Sequence, residues 1–238
     1  MQKLMTYENL RRFAYSNDHL IEGEIRGIIV QCFGLNFLKM YNEDPADSIE
    51  YAQMGILHVI PYYNPWCWMN EQTVAYIDEI IAVLCDHYAL GDDVKIVVYG
   101  SSMGGLCALT YCAYAAKTPC ACAVNCPVCD LPYHFTERED LPRTLYSAMW
   151  HYNGTLEEAL ISCSPMHLVD RMPDIPYTVF HCERDKAVNI EMHSVRFVEA
   201  MRSTNHDISL IRVPLRGHGD LSAEYWLRFR QTILNAIL

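Results

Sequence analysis

The chain has 238 residues, a length that suits one large domain better than two. Apolar residues at 51% against 20% charged exclude an extended disordered protein. With 29 acidic against 18 basic side chains the net charge is −11, so the chain lacks the basic footprint of a nucleic-acid binder and would be repelled by anionic membranes. Near the start, Lys3, Glu8, Arg11 and Arg12 leave no room for an apolar signal core. The eleven cysteines are therefore expected to be reduced thiols of a cytoplasmic protein, not a disulfide framework.

Short apolar runs alternate with helical patterns along the chain. Ile28–Phe33 reads as a buried strand ending at Gly34, and residues 46–54 as a short helix. Ile56–Ile60 is a second strand, stopped by Pro61. Val74, Ile77, Ile81 and Leu84 are spaced for one face of a helix from Glu71 to Tyr88, ending before Gly91. Residues 94–99 make a strand, 103–116 a helix and 121–126 a strand. Residues 96–116 carry no formal charge, long enough to span a bilayer. The serines and glycines at 100–105 instead break this run into strand, turn and helix. A strand at 177–181, a helix at about 191–201, a strand at 208–213 and a helix from 221 to the end follow, with Trp226, Phe229, Ile233 and Ile237 on one face of the last. Strands alternating with helices predict an α/β architecture, a mostly parallel central sheet with helices on both faces.

Residues 130–172 break the alternation. They are rich in aromatic residues, including Tyr133 and Trp150, and contain Pro132, Pro142 and Pro165. Thr155 with Glu158 three residues on forms a capping-box pattern for a short helix. A long insertion inside one compact domain is expected to be functional, here a cap over the carboxyl end of the sheet.

Gly100-Ser101-Ser102-Met103-Gly104 fits G-x-S-x-G between a β-branched strand and a helix. A serine at the tip of so tight a turn needs glycine two positions away on either side, and Gly105 lets helix and strand pack closely. The turn exposes the Ser102 hydroxyl and aims the Met103 N–H at the oxygen of a bound carbonyl. A serine needs a base at pH 7. Among ten histidines, His218 lies between flanking glycines after the last strand, where its loop can reach the sheet end. His58 and His181 fall within strands and read as core histidines. The acid that orients the imidazole is expected at Asp185, in the turn after the strand at 177–181, with Glu183 and Asp130 as rivals.

Gly100-Ser-Ser-Met-Gly-Gly resembles the nucleophile elbow of the α/β-hydrolases. His181-Cys-Glu-Arg-Asp-Lys-Ala-Val resembles that family's H-G-x-x-D-x-x-V acid turn, and Gly217-His-Gly its histidine loop. Ser164-Pro165 is similar to the prolyl oligopeptidase and dienelactone-hydrolase-like branches. The resemblance begins near Gly27 and covers nearly the whole chain. It implies the α/β-hydrolase fold, a Ser102–His218–Asp185 triad, and an oxyanion hole completed by a backbone N–H after the first parallel strand. Where that family often has His-Gly, this chain has Phe33-Gly34, so Leu35 is the expected donor and Asn36 its alternative. Cys182 stands in place of the glycine of the acid turn.

Trp66 and Trp68 after the second strand, with Tyr133 and Trp150 of the insertion, are candidate substrate-binding residues; core packing beneath the cap is the other reading of such a cluster. Cys120, Cys122, Cys126 and Cys129 contain a C-x-x-C but no second pair, and Cys120, Cys122 and Cys126 are expected on one face of a strand as buried hydrophobes, not zinc ligands. The expected function is a serine hydrolase, a carboxylesterase acting on a small-molecule ester without metal or cofactor. No room is expected for the N-terminal propeller with which prolyl oligopeptidases sieve peptides. The alternatives are a prolyl oligopeptidase-like peptidase, an acyltransferase, and a catalytically silent binder on the same fold.

Overall fold

The computed structural model describes residues 4–238; Lys3, one of the charges weighed against a signal core, lies outside them. Seven strands form the sheet: β1 (Ala14–Ser16), β2 (Gly27–Cys32), β3 (Ile56–Pro61), β4 (Ile96–Ser101), β5 (Ala121–Asn125), β6 (Tyr177–Cys182) and β7 (Ile208–Val213). Their spatial order is β1-β3-β2-β4-β5-β6-β7. Every pairing is parallel except that of β1 on β3. The near-continuous aliphatic runs of β2, β3 and β4 follow from burial on both faces, as a parallel sheet demands. The edge strand β1 was not expected, because three residues are too few to show a period.

Helices α1 (Ala46–Gln53) and α8 (Ala223–Ile237) cover one face, packing Tyr51, Phe229, Ile233 and Ile237 against Ile29 and Val97. Trp226, expected on that same helix face, stays 38% exposed. On the other face lie α2 (Glu71–Tyr88), α3 (Met103–Tyr114) and α7 (Arg196–Ser203), the last preceded by a π-helical turn, Glu191–Val195. The Asn70 carboxamide caps α2 by accepting the Thr73 N–H at 3.0 Å, and the four predicted apolar positions of that helix are buried. It ends on Ala89 in a left-handed conformation, φ 51°, two residues before the glycine expected to stop it. The uncharged run at 96–116 divides into β4, the turn and α3, and no described helix is long and apolar enough to cross a membrane.

The interruption between β5 and β6 is helical. The expected helix is α6 (Leu156–Ser162), where Thr155 Oγ1 accepts the Glu158 N–H at 3.2 Å and Glu158 accepts the Thr155 N–H at 2.7 Å. Two more, α4 (Leu131–Glu137) and α5 (Leu141–Ala148), precede it and were not expected. Each has its proline in the first turn, where the missing N–H costs nothing. Pro132 and Pro142 thus begin helices.

The cysteine expectation needs correcting. Cys122 packs on the α2–α3 side of β5, whereas Cys120 and Cys126 pack on the α8 side. Both lie just outside the strand, and Cys126 has φ 45°, so the pleat alternation no longer governs them.

Candidate active site

The carboxyl ends of β4, β6 and β7 bring three loops together. At the end of β4 the chain turns on Ser102, with φ 60° and ψ −125°. For a residue other than glycine this conformation costs about 1–3 kcal/mol and persists only when its surroundings enforce it. A Cβ on Gly100 would lie 2.2 Å from the Gly104 carbonyl oxygen, and one on Gly104 would lie 2.4 Å from that of Cys32. Neither position admits a side chain. The Ser102 N–H is tied to the Asn125 carbonyl at 3.0 Å, which anchors the elbow to β5.

Ser102 Oγ lies 2.8 Å from His218 Nε2, and His218 Nδ1 lies 2.7 Å from Asp185 Oδ2. The acid loop is laced to the histidine loop by the Arg184 N–H, which reaches the Arg216 carbonyl at 2.9 Å. Cys182 Sγ reaches the Asp220 carbonyl at 3.6 Å, so the thiol that replaces the usual glycine becomes part of this lacing. The rivals lie elsewhere. Asp130 caps α4 through the Tyr133 N–H, and Glu183 is exposed.

Asp185 is fully buried at its side chain. Its Oδ1 accepts the Ala187 and Val188 N–H groups at 2.8 and 3.0 Å. Its Oδ2 receives His218 and stands 3.3 Å from His181 Nε2. Burial alone would raise the Asp185 pKa, but hydrogen bonds from His181, His218 and Val188 outweigh it and hold the carboxyl far below its ordinary value. A depressed carboxylate pKa stabilises the fold above the unfolded-state value, near pH 4, and that contribution is lost as the pH falls below it. The melting temperature should therefore fall steeply from about pH 5 downward, and the fall should be shallower in Asp185→Asn. Parallel melting curves for the two proteins check this.

His181 and His58 are core histidines, as expected. His181 Nδ1 accepts from Ser194 Oγ at 2.6 Å, and its Nε2 faces the Val188 carbonyl at 3.2 Å. His58 pairs with Ser48 at 2.8 Å, and burial lowers its pKa to about 3, so it stays neutral. Cys126 is buried, and hydrogen bonding with Cys182 and burial push its thiol pKa upward.

The loop after β2 lies against Ser102: a Cβ built on Gly34 would stand 3.9 Å from Ser102 Cβ. The Asn36 N–H, the alternative donor, is already given to the Pro65 carbonyl at 3.2 Å. Met103 opens α3, where the first N–H groups have no partner within the helix. Sequence reasoning missed two supports. The Tyr63 hydroxyl accepts the Phe33 N–H at 2.7 Å and donates to the Phe33 carbonyl at 3.1 Å, fixing the strand end from which Gly34 and Leu35 depart. Asn125 Nδ2 donates to the Gly219 carbonyl at 3.2 Å, beside His218. Both act across 30 or more positions of chain, so no local pattern announces them. Tyr63→Phe should lower kcat about tenfold, the worth of one buried hydrogen-bond pair, with KM nearly unchanged; steady-state kinetics on an ester check it.

The aromatic candidates divide. Trp66 lies beside the Leu35 loop, its indole N–H on the Asn36 carboxamide oxygen. Tyr133 stacks its ring edge against His193, 5.5 Å between centroids. Trp68 is 1% exposed, and its indole donates to Thr144 Oγ1 at 3.1 Å, so it fastens α5 to the body and forms no substrate wall. Trp150 is 67% exposed in a shallow depression with Tyr146 and Thr155 that holds none of the three triad candidates. The four clustered cysteines do not converge: among the described residues no three of them bring their sulfurs within 4.8 Å.

Comparison with known proteins gives three kinds of result. No curated protein sequence matches the chain. Among solved structures, the puromycin-hydrolyzing peptidase of Mycobacterium tuberculosis superposes with a TM-score of 0.71 at 17% identity, covering 90% of this chain and 35% of its own. Dipeptidyl peptidase 4 of Porphyromonas gingivalis gives 0.69 at 14% identity, over 90% of this chain and 31% of its own. Esterase 2 of Thermogutta terrifontis gives 0.61 at 19% identity, over 94% of this chain and 86% of its own. The chain thus spans about a third of the length of the two peptidases. The mostly parallel sheet with helices on both faces is the α/β-hydrolase fold that these structures share. The model of the prolyl oligopeptidase family matches residues 69–235, a stretch that takes in Ser102, Asp185 and His218, and the chain belongs to that family.

Proposed function

We propose that the protein is a serine hydrolase that cleaves a small carboxylic ester through an acyl-enzyme. The observation that carries this reading is the hydrogen-bonded series Ser102 Oγ–His218–Asp185, at 2.8 and 2.7 Å, mounted on a strained elbow. Ser102 Oγ attacks the ester carbonyl carbon and gives its proton to His218 Nε2. The carbonyl oxygen becomes an oxyanion held by the Met103 and Leu35 N–H groups, each worth about 3 kcal/mol of barrier. His218 then protonates the leaving alkoxide. Water, deprotonated by the same nitrogen, then attacks the acyl carbon, and the acyl–Oγ bond breaks as His218 returns that proton to Ser102 Oγ, which frees the acid. Asp185 keeps the Nδ1 proton in place and stabilises the imidazolium. Side chains and backbone supply every step, so neither metal nor cofactor is required.

The likeness to an esterase over 94% of this chain supports ester substrates. The names of the peptidases favour amide substrates as the second reading. Eleven unpaired cysteines support a reducing, cytoplasmic setting. Short p-nitrophenyl esters and peptide p-nitroanilides, each assayed with wild type and Ser102→Ala, test the choice. Ester turnover dependent on Ser102, with anilides at least about a hundredfold slower in kcat/KM, is the expected result, a gap of about 2.7 kcal/mol. The reverse order would make the protein a peptidase.

A further inference from the structure

One cluster of titratable groups lies outside the triad and touches the loop that carries its acid. Glu137, at the end of α4, accepts three hydrogen bonds: His134 Nδ1 at 2.6 Å and His193 Nε2 at 3.1 Å on Oε2, and the Asn189 N–H at 2.9 Å on Oε1. His134 and His193 are 2% and 0% exposed. Burial would raise the Glu137 pKa, but the donors outweigh it and hold the carboxyl at about 2. Two histidines and a carboxylate with ligand atoms within 4.8 Å also make a metal-like set. The tautomer argues otherwise. His193 Nδ1 accepts the Cys129 and Asp130 N–H groups at 3.1 and 3.2 Å, so its proton sits on Nε2, the nitrogen facing Glu137. That nitrogen has no lone pair for a metal, and it is a donor to the carboxylate instead.

Asn189 is the junction that gives this carboxylate its reach. It follows Val188, whose N–H holds Asp185 Oδ1 at 3.0 Å and whose carbonyl faces His181 at 3.2 Å. Its own side chain accepts the Glu191 and Met192 N–H groups at 3.0 and 3.2 Å, starting the π-helical turn. That turn aims both His193 and Ser194 inward, one at Glu137 and the other at His181. Turns of this kind recur at functional sites. One carboxylate of the insertion therefore fixes the far end of the Asp185 loop.

We propose that Glu137 is a positioning residue for the triad: through Asn189 and His193 it sets the loop that presents Asp185 to His218, and so couples the seating of α4 to the acid. The proposal rests on the serine-hydrolase reading for its kinetic consequence, but its structural consequence can be measured without substrate. The test uses the full chain, wild type beside Glu137→Gln and Glu137→Asp. The first keeps the shape but brings an amide N–H₂ against donors; the second keeps the charge but falls one methylene short of Asn189. The readouts are the melting temperature, the low-field proton resonance of the His218–Asp185 hydrogen bond (identified by its loss in Asp185→Asn), and kcat and KM on p-nitrophenyl acetate.

In both variants, measured well below their melting temperatures, the resonance should shift or broaden and kcat should fall about 10- to 100-fold with KM within about twofold, as expected for a misplaced catalytic group. A drop in melting temperature with the resonance and kcat unchanged would make the clasp purely structural and overturn the proposal. If Glu137→Gln does not fold, Glu137→Asp decides on the same readouts. A wild type that shows the resonance but hydrolyses no ester would sink the hydrolase reading alone, and the resonance in the variants would still judge Glu137.

Discussion

Ser102→Ala should lower ester turnover about 10⁶-fold, the loss seen when the nucleophile of a Ser-His-Asp hydrolase is removed. The fold should survive. Alanine keeps the Cβ, so the strain at φ 60° is unchanged, and the Ser102 N–H keeps its bond to the Asn125 carbonyl. Among the described residues the hydroxyl itself has one partner, His218 Nε2 at 2.8 Å, at the solvent-exposed carboxyl end of β4. Losing an exposed hydrogen bond costs about 1 kcal/mol or less, so the melting temperature should move by only a few degrees. Activity within a hundredfold of wild type would place the nucleophile elsewhere.

The second large effect is expected at Asp185→Asn, a fall in kcat of about 10⁴-fold with KM little altered. The carboxylate oxygen at 2.7 Å from His218 Nδ1 can only accept, which holds the imidazole proton on Nδ1 and leaves Nε2 free to take the proton of Ser102. An asparagine that turns its N–H₂ toward Nδ1 imposes the opposite tautomer, with Nε2 already protonated. The Ala187 and Val188 N–H groups favour that orientation, because they keep the carbonyl oxygen on the Oδ1 side. Rates measured across a range of pH, alongside a melting curve showing a folded variant, check it. A loss of less than tenfold would mean that Asp185 does not govern the imidazole.

The parts of the site that were legible in the sequence are those fixed by local backbone. Gly100 and Gly104 flank Ser102 because carbonyls stand where their side chains would be, so the turn writes its requirement into adjacent positions. Asp185 and His218 follow β6 and β7 within a few residues, and their place at the sheet end follows from the alternation of strands and helices. The alternation likewise gave away six of the strands, but not β1, whose three residues pair only through β3.

What was hidden depends on contacts distant in the chain. Glu137 meets Asn189 and His193 across more than fifty positions, and Tyr63 meets Phe33 across 30. Aromatic type alone did not separate Trp68, locked under α5 by Thr144, from Trp66, beside the Leu35 loop. A proline alone does not tell a helix start from a stop, and only its position within the first turn makes Pro132 and Pro142 the beginnings of α4 and α5. Cys120 and Cys126 changed face because the strand ends between them and their expected neighbours.

The most direct test of the account is a fluorophosphonate reaction followed by peptide mass spectrometry. A serine activated by a base reacts with such a probe, whereas an ordinary surface serine does not. One adduct per chain, on the peptide containing Ser102 and absent in His218→Ala, is the predicted result. Folded wild-type protein that takes up no probe, or takes it up at a residue other than Ser102, would contradict the account.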